Sequence, residues 1–202
     1  DANGGLGFSS INPSEVFSQG FQLLSADSST IKWITGVDYS KEKGKAVLTG
    51  DFVGVSFYSS DNDWSVRSLA GFAQATVPFT DRWSATLGAR YTDEIYKIDD
   101  NFDTTNPLSL PGVVNVGRIS LSSNKFTYTA RFEYKGDDWL GFGGIATGFK
   151  SATLNVNSPA QGRADPEEVT SVEFGFKRDF ADRYRLNASV YYATYEGIQL
   201  NV

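Results

Sequence analysis

The sequence predicts an all-β fold: an incomplete, antiparallel, up-and-down transmembrane β-barrel, about eight strands of a larger one, with long loops on one side and short turns on the other. Three observations lead there. Strict two-residue alternation of apolar and polar side chains runs through most of the chain. Short polar turns and long polar stretches take turns between the alternating segments. No stretch approaches the roughly 20 consecutive apolar residues that a membrane helix requires, so any crossing of a bilayer falls to strands.

Taken in order, the strands are expected at 16–25, 30–40, 66–79, 82–97, 118–135, 138–150, 168–180 and 183–199. In the second, Ile31, Trp33, Val37 and Tyr39 share one parity. In the fourth, Trp83, Ala85, Leu87, Ala89 and Tyr91 alternate with Ser84, Thr86, Gly88, Arg90 and Thr92. The fifth sets Phe126, Tyr128, Ala130, Phe132 and Tyr134 against Thr127, Thr129, Arg131, Glu133 and Lys135. The seventh sets Val172, Phe174 and Phe176 against Glu173, Gly175 and Lys177. The last sets Tyr184, Leu186, Ala188, Val190 and Tyr192 against Arg183, Arg185, Asn187 and Ser189. Side chains in a strand point alternately to opposite sides, so each segment has one apolar and one polar face.

Short turns are expected at Thr80-Asp81-Arg82, Gly136-Asp137-Asp138 and Ala181-Asp182. The stretches 41–64, 98–117 and 151–167, rich in Gly, Asn, Asp, Ser and Pro, read as long loops. A soluble β-sandwich also alternates. Against it stand the strand lengths, well above the usual 5–6 residues, aromatics at strand ends as in an interfacial girdle, and a second face that is charged or hydroxylic throughout.

Composition removes most chemistry. Among 202 residues there is no Cys, no His and no Met, and 18 basic against 24 acidic residues give a net charge of −6. Disulfides, thiolate nucleophiles, histidine bases and Cys/His zinc sites are excluded, and an enzyme is not expected. The acidic balance disfavours nucleic acid as a partner. Gly141-Phe142-Gly143-Gly144-Ile145-Ala146 fits a dinucleotide-binding string but lacks the following helix. Asp99-Asp100-Asn101-Phe102-Asp103 opens like a calcium loop but has Thr104 for the glycine and Leu110 at the twelfth place. Neither a catalytic set nor a metal site is expected, and no cofactor. Asn187-Ala188-Ser189 is a formal glycosylation sequon inside a strand and is discounted. The chain starts at Asp1 without an initiator Met and stops at Val202 within a predicted strand, so it reads as a piece of a longer protein.

Several segments, in order, resemble the TonB-dependent outer-membrane receptors, in particular their iron–siderophore branch. They are Ser68-Leu69-Ala70-Gly71-Phe72-Ala73-Gln74-Ala75-Thr76 with Thr80-Asp81-Arg82-Trp83, then Leu87-Gly88-Ala89-Arg90-Tyr91-Thr92-Asp93-Glu94, and Ala146-Thr147-Gly148-Phe149-Lys150-Ser151. The stretch from Asp165-Pro166-Glu167-Glu168 to Gly175-Phe176-Lys177 and the strand Leu186-Asn187-Ala188-Ser189-Val190-Tyr191-Tyr192 continue the series. Where the family has a glycine turn after Gly-Phe-Lys-Ser, this chain has Ala152-Thr153-Leu154-Asn155.

The resemblance implies a partial receptor barrel over 1–202, without the plug and the C-terminal strands, out of about 22 strands in a complete wall. It implies a cell outer membrane location in a Gram-negative bacterium and lipid contact. It also implies a small iron chelate or another nutrient as ligand, and a TonB complex acting through the plug. Loop aromatics Tyr58, Trp64, Phe102 and Phe149 are candidate ligand contacts. Arg90, Arg131, Glu133, Glu173, Lys177 and Arg185 are candidate lumen-facing residues, in contact with plug or substrate or else forming cross-strand charge ladders. A small passive or adhesive outer-membrane barrel and a soluble carbohydrate-binding β-sheet domain are the competing functions.

Overall fold

Backbone pairing, carried out strand by strand, builds one antiparallel sheet. The computed structural model describes residues 6–52, 55–103, 117–154, 163–180 and 183–199. Its strands are β1 (Leu6–Ile11), β2 (Ser14–Leu24), β3 (Lys32–Phe52), β4 (Val55–Pro78), β5 (Trp83–Asp103), β6 (Arg118–Lys135), β7 (Trp139–Lys150), β8 (Thr153–Leu154), β9 (Arg163–Ala164), β10 (Glu167–Phe180) and β11 (Tyr184–Glu196). Sequence neighbours pair with one another from β2–β3 to β6–β7, then β7–β10 and β10–β11, while β8 and β9 form a separate two-stranded ribbon. Among the described residues β11 and the β1–β2 side have no partner on their outer edges, so the sheet is open.

β1 and β2 both pair with β3, Ile11 opposite Val47 and Ser14 opposite Gly44, without a change of register. They are one strand interrupted at Pro13, whose ring nitrogen has no proton to give to the ladder while its carbonyl still accepts from Lys45 N at 3.0 Å. The sheet therefore has eight strand positions, as the alternation predicts. The turns at 80–82 and 136–138 are also where the sequence puts them. Thr80 Oγ1 accepts from Arg82 N and Trp83 N, and Gly136 N donates to Trp139 O at 2.7 Å. Ala181 and Asp182 lie outside the described residues.

The expected loop at 41–64 is a correction. β3 runs on to Phe52 and β4 starts at Val55, and the two pair throughout this region, Lys41 with Arg67 and Gly50 with Tyr58, with one bulge at Gly50/Asp51. Strand β5 likewise continues to Asp103, past the predicted end at 97. Ladder hydrogen bonds are made by the backbone and persist where side chains turn polar. Polar composition alone therefore cannot end a hairpin. Residues 104–116 lie outside the described part.

Register aligns the faces of neighbouring strands. Trp83 sits opposite Tyr134, Leu87 opposite Ala130 and Tyr91 opposite Phe126, so the apolar parities of β5 and β6 share one face. Leu69, Ala73, Ala75 and Val77 of β4, Phe174 and Phe176 of β10, and Leu186 and Val190 of β11 join it. This face is uncovered: Leu87 is 58% exposed, Phe174 60% and Val190 68%. At the short-turn end Trp83 meets Tyr134 edge to face with centroids 4.8 Å apart, and Trp139 packs tilted against the same tyrosine at 5.0 Å.

The buried core lies on the other face and far from the short turns. Tyr96, Ile98 and Leu121 pack with Ala152 and Leu154, flanked by Trp64, Val66 and Ile119. Here the apolar parity has changed sides. On β5 it is odd from Trp83 to Tyr91 and even at Tyr96 and Ile98. On β4 it passes from Leu69 to Val66 and Trp64, and on β6 from Phe126 to Leu121 and Ile119. All three switches occur within a few residues of the Leu69–Asp93–Asn124 row, with the ladder undisturbed. Ala152 N donates to Ser123 Oγ at 3.0 Å, which brings the start of the β8–β9 ribbon across this inner surface.

Candidate functional site

The polar face of the sheet is the candidate site, and its geometry depends on which positions carry side chains and which do not. Arg90 of β5 extends across β4 to Asp38 of β3, Nη1 to Oδ2 at 2.8 Å. It passes over the Phe72 ring at 5.7 Å and donates from Nε to Thr92 Oγ1 at 3.3 Å. The residue between Asp38 and Thr92 in the ladder is Ala70, small and 2% exposed, so the long guanidinium can reach the second strand over. Gly88, beside Gln74 and Thr129, leaves a hollow of about 350 Å³ lined in part by Asp38, Phe72, Gln74, Arg90 and Thr127.

Arg131 and Glu133, two apart on β6 and therefore on one side, pair at 2.9 Å. The Arg131 guanidinium stacks 3.9 Å over Phe142 of β7. That stack needs empty neighbours. A Cβ on Gly175 would stand 2.4 Å from the Phe142 ring and 2.8 Å from Ala188 O, and one on Gly144 would stand 2.8 Å from Ala130 O. The glycines of the discarded dinucleotide string thus allow close strand approach within β7. Nearer the turns, Arg185 grips Asp179 with both Nε and Nη2, at 2.6 and 2.9 Å. Glu173 and Lys177 continue the same face on β10, and neither makes a hydrogen bond or ion pair with the described residues.

Arg90, Arg131, Glu133, Glu173, Lys177 and Arg185 therefore all stand on one surface: four engaged with neighbours, two presented. The candidate ligand aromatics are more scattered. Trp64 lies on the polar face, its ring over Gly44 and against the Ile98 cluster. Phe149 stands opposite Glu168, with the parity of Ile145 and Trp139, on the apolar side. Tyr58 and Phe102 are in the ladder opposite Gly50 and Ser60, and their side chains lie outside the described part. Trp64 and Phe149 are thus on opposite faces.

Sequence reasoning missed the Tyr96–Ile98–Leu121 cluster. Its signal was present as the change of parity on three consecutive strands. Burial pushes the Tyr96 phenol up to about 12, and its hydroxyl makes no hydrogen bond with the described residues. At the same level Arg118 holds the Asp99 carboxyl below its ordinary range through a hydrogen bond of 2.6 Å. The first aspartate of the calcium-like run is thereby committed to an arginine. Gly197, at φ 68°, turns the chain after β11. Gln199 then donates from Nε2 to Ser151 O at 2.9 Å and to Asp165 O at 2.8 Å, clamping both feet of the β8–β9 ribbon.

An open antiparallel sheet with one apolar and one polar face, short turns at one end and tall hairpins at the other, defines a wall segment of a large barrel. The family model for the TonB dependent receptor-like β-barrel matches residues 3–202, and the chain belongs to that family. Among solved structures it is similar to the ferric yersiniabactin uptake receptor FyuA from Yersinia pestis, with TM-score 0.81, 18% identity, and 95% of this chain and 30% of that one covered. It is similar to the siderophore receptor PiuA from Acinetobacter baumannii at TM-score 0.67 and 19% identity, covering 90% and 32%. It is also similar to the alcaligin outer membrane receptor FauA from Bordetella pertussis at 0.58 and 13%, covering 92% and 30%. The chain spans about a third of the length of these receptors. No curated protein sequence matches it.

Proposed function

We propose that this chain forms part of the barrel wall of an outer-membrane receptor that takes up a scarce nutrient, an iron–siderophore complex, with energy from a TonB complex. The observation that carries the reading is the size of the uncovered apolar band. It spans nine residues on each of three strands, 83 to 91, 126 to 134 and 184 to 192. A strand needs about 9–11 residues to cross a bilayer at the usual tilt. The aromatics at both ends of the band, Trp83 and Tyr134 below and Tyr91 and Phe126 above, suit its two headgroup boundaries.

Beyond the band β4 continues, and its 24 residues amount to about 80 Å of extended chain, far more than a bilayer takes up. The β3–β4 and β4–β5 hairpins would then stand above the membrane, where receptors meet their ligands. The polar face, with Glu173 and Lys177 presented, would look into the lumen and contact a plug in the complete protein. Likeness of fold to three iron-chelate receptors supports the choice of cargo.

The test is growth under iron limitation of a strain lacking the gene, on a panel of ferric chelates. Loss of growth on one or a few chelates, restored by the gene, is the expected result. Unimpaired use of every chelate would remove the iron assignment.

A further inference from the structure

Above the apolar band on β3, β4 and β5 the same face gathers four cations within two rows. In register order, the row beyond Tyr39 and Leu69 holds Lys41 directly opposite Arg67, flanked by Phe17 and Ile95, and the next row holds Lys43, Ser65 and Lys97. All four cations are exposed, and they share the parity of Val37, Leu69 and Tyr91. Like charges directly opposite on neighbouring strands destabilise a sheet unless something compensates them.

Compensation from the described residues is thin. Arg67 reaches Asp93 only at 3.9 Å, Glu15 sits opposite Lys43 in the ladder, Lys97 feels Asp99, already held by Arg118, without forming an ion pair, and Lys41 has no ion pair with the described residues. The cations farther from the band are served differently: Lys45 has Asp61 at 2.8 Å and Arg118 has Asp99 at 2.6 Å. Nor is positive charge general at this level. The corresponding positions of β6 are Ser122 and Ser120, while the upper ends of β10 and β11 place Glu168 opposite Glu196.

We propose that Lys41, Lys43, Arg67 and Lys97 bind the phosphate groups of lipid headgroups in the leaflet bordering the upper rim of the band. The inference rests on the membrane reading of that band. Its chemistry is that of ammonium and guanidinium groups with phosphate, compact point charges beside one planar fork. A phosphate between Lys41 and Arg67 would turn their opposition into a shared contact. Strands lie about 4.8 Å apart, so β3 to β5 spans about 10 Å, room for a headgroup with two phosphates. Tyr39 sits one row below the cations and Phe17 beside Lys41, their ring centroids 6.3 Å apart, where acyl chains give way to headgroups.

The test uses the whole receptor that contains this chain. It is reconstituted in phosphatidylcholine vesicles doped with bis-phosphorylated lipid A or with the same glycolipid stripped of phosphate, and the lipid retained after extraction is counted by native mass spectrometry. The phosphorylated form is expected to be retained and the stripped form lost. Retention should fall about fivefold for each cation neutralised in Lys41→Gln, Arg67→Gln and Lys97→Gln, and should weaken with salt. Arg118→Gln, remote from the cluster and paired with Asp99, should leave it unchanged. Equal retention of the two glycolipids by the unaltered protein would overturn the phosphate site, whatever the variants do. A receptor that enters neither kind of vesicle would overturn the membrane reading, and the lipid site with it.

Discussion

Tyr96 shows how one side chain reports on the upper inner surface. It is 7% exposed among Ile98, Leu121 and Leu154, with a hydroxyl that finds no partner among the described residues. Its phenol should stay protonated past pH 10, where ordinary tyrosines ionise, and lose its proton only near pH 12. The linkage has a definite sign. Below pH 10 the group is neutral in folded and unfolded chains alike. Between 10 and 12 the unfolded chain releases the proton first, so stability falls as pH rises. Difference absorbance at 295 nm between the protein and Tyr96→Phe should isolate one late transition; a transition near pH 10 would show that the site is wet. Tyr96→Phe should also leave stability unchanged or raised, because it removes a buried hydroxyl that makes no bond with the described residues. Ile98→Ala, at a fully buried position, should cost about 2–5 kcal/mol by denaturant unfolding.

At the scale of elements, the polar face depends on absent side chains as much as on present ones. Gly175→Val would press on the Phe142 ring and on Ala188 O, displacing the Arg131 stack. It should lower the folding yield in detergent well below that of Lys177→Val, an exposed neighbour on the same face. The β8–β9 ribbon is held at its base by Ser123 and Gln199. Hydrogen exchange at the Ala152 amide should accelerate by at least about fivefold in Ser123→Ala, given about 1 kcal/mol for the lost bond. Unchanged exchange would mean that apolar packing alone holds the ribbon.

The same elements differ in how legible they are in the sequence. The strands from Trp83 to Tyr91 and from Phe126 to Tyr134 are readable because a face against an apolar medium must be apolar at every second residue. The stretch 41–64 is not, since its composition reads as loop although Val47 and Leu48, among Lys, Asp and Ser, continue a strand. A hairpin in water carries no constant apolar face, so the alternation of the band vanishes while the ladder persists. The polar side chains Arg90, Arg131, Glu133, Glu173, Lys177 and Arg185 fall on one surface by parity alone. Which of them pair depends on Ala70, Gly144 and Gly175, through contacts between strands that no single segment displays.

The whole molecule presents two faces to two media. One side carries a band nine residues tall and, above it, a cationic rim; the other carries ion pairs below and a small apolar core above. On the proposed membrane reading, the exchange of polarity at one level on three strands puts the upper boundary at the row of Leu69, Asp93 and Asn124. A charge placed in the band, as in Leu87→Arg, should cost about 2–4 kcal/mol of barrel stability at mid-depth, whereas Ser65→Arg, above the row, should cost about 0–1. Equal costs at the two positions, read by urea titration in lipid vesicles, would move that boundary.

The most direct test is a nitroxide scan of the receptor in a lipid bilayer, with labels at consecutive positions 84 to 91 and 126 to 133. Accessibility to oxygen, which concentrates in acyl chains, should peak at Ala85, Leu87, Ala89 and Tyr91 on β5 and at Phe126, Tyr128, Ala130 and Phe132 on β6. It should alternate with minima at Thr86, Gly88 and Arg90 and at Thr127, Thr129 and Arg131. Labels on the apolar positions that are immobile and shielded from oxygen and water-soluble relaxants alike would mean that this face is packed against protein, and would contradict a lipid-facing wall.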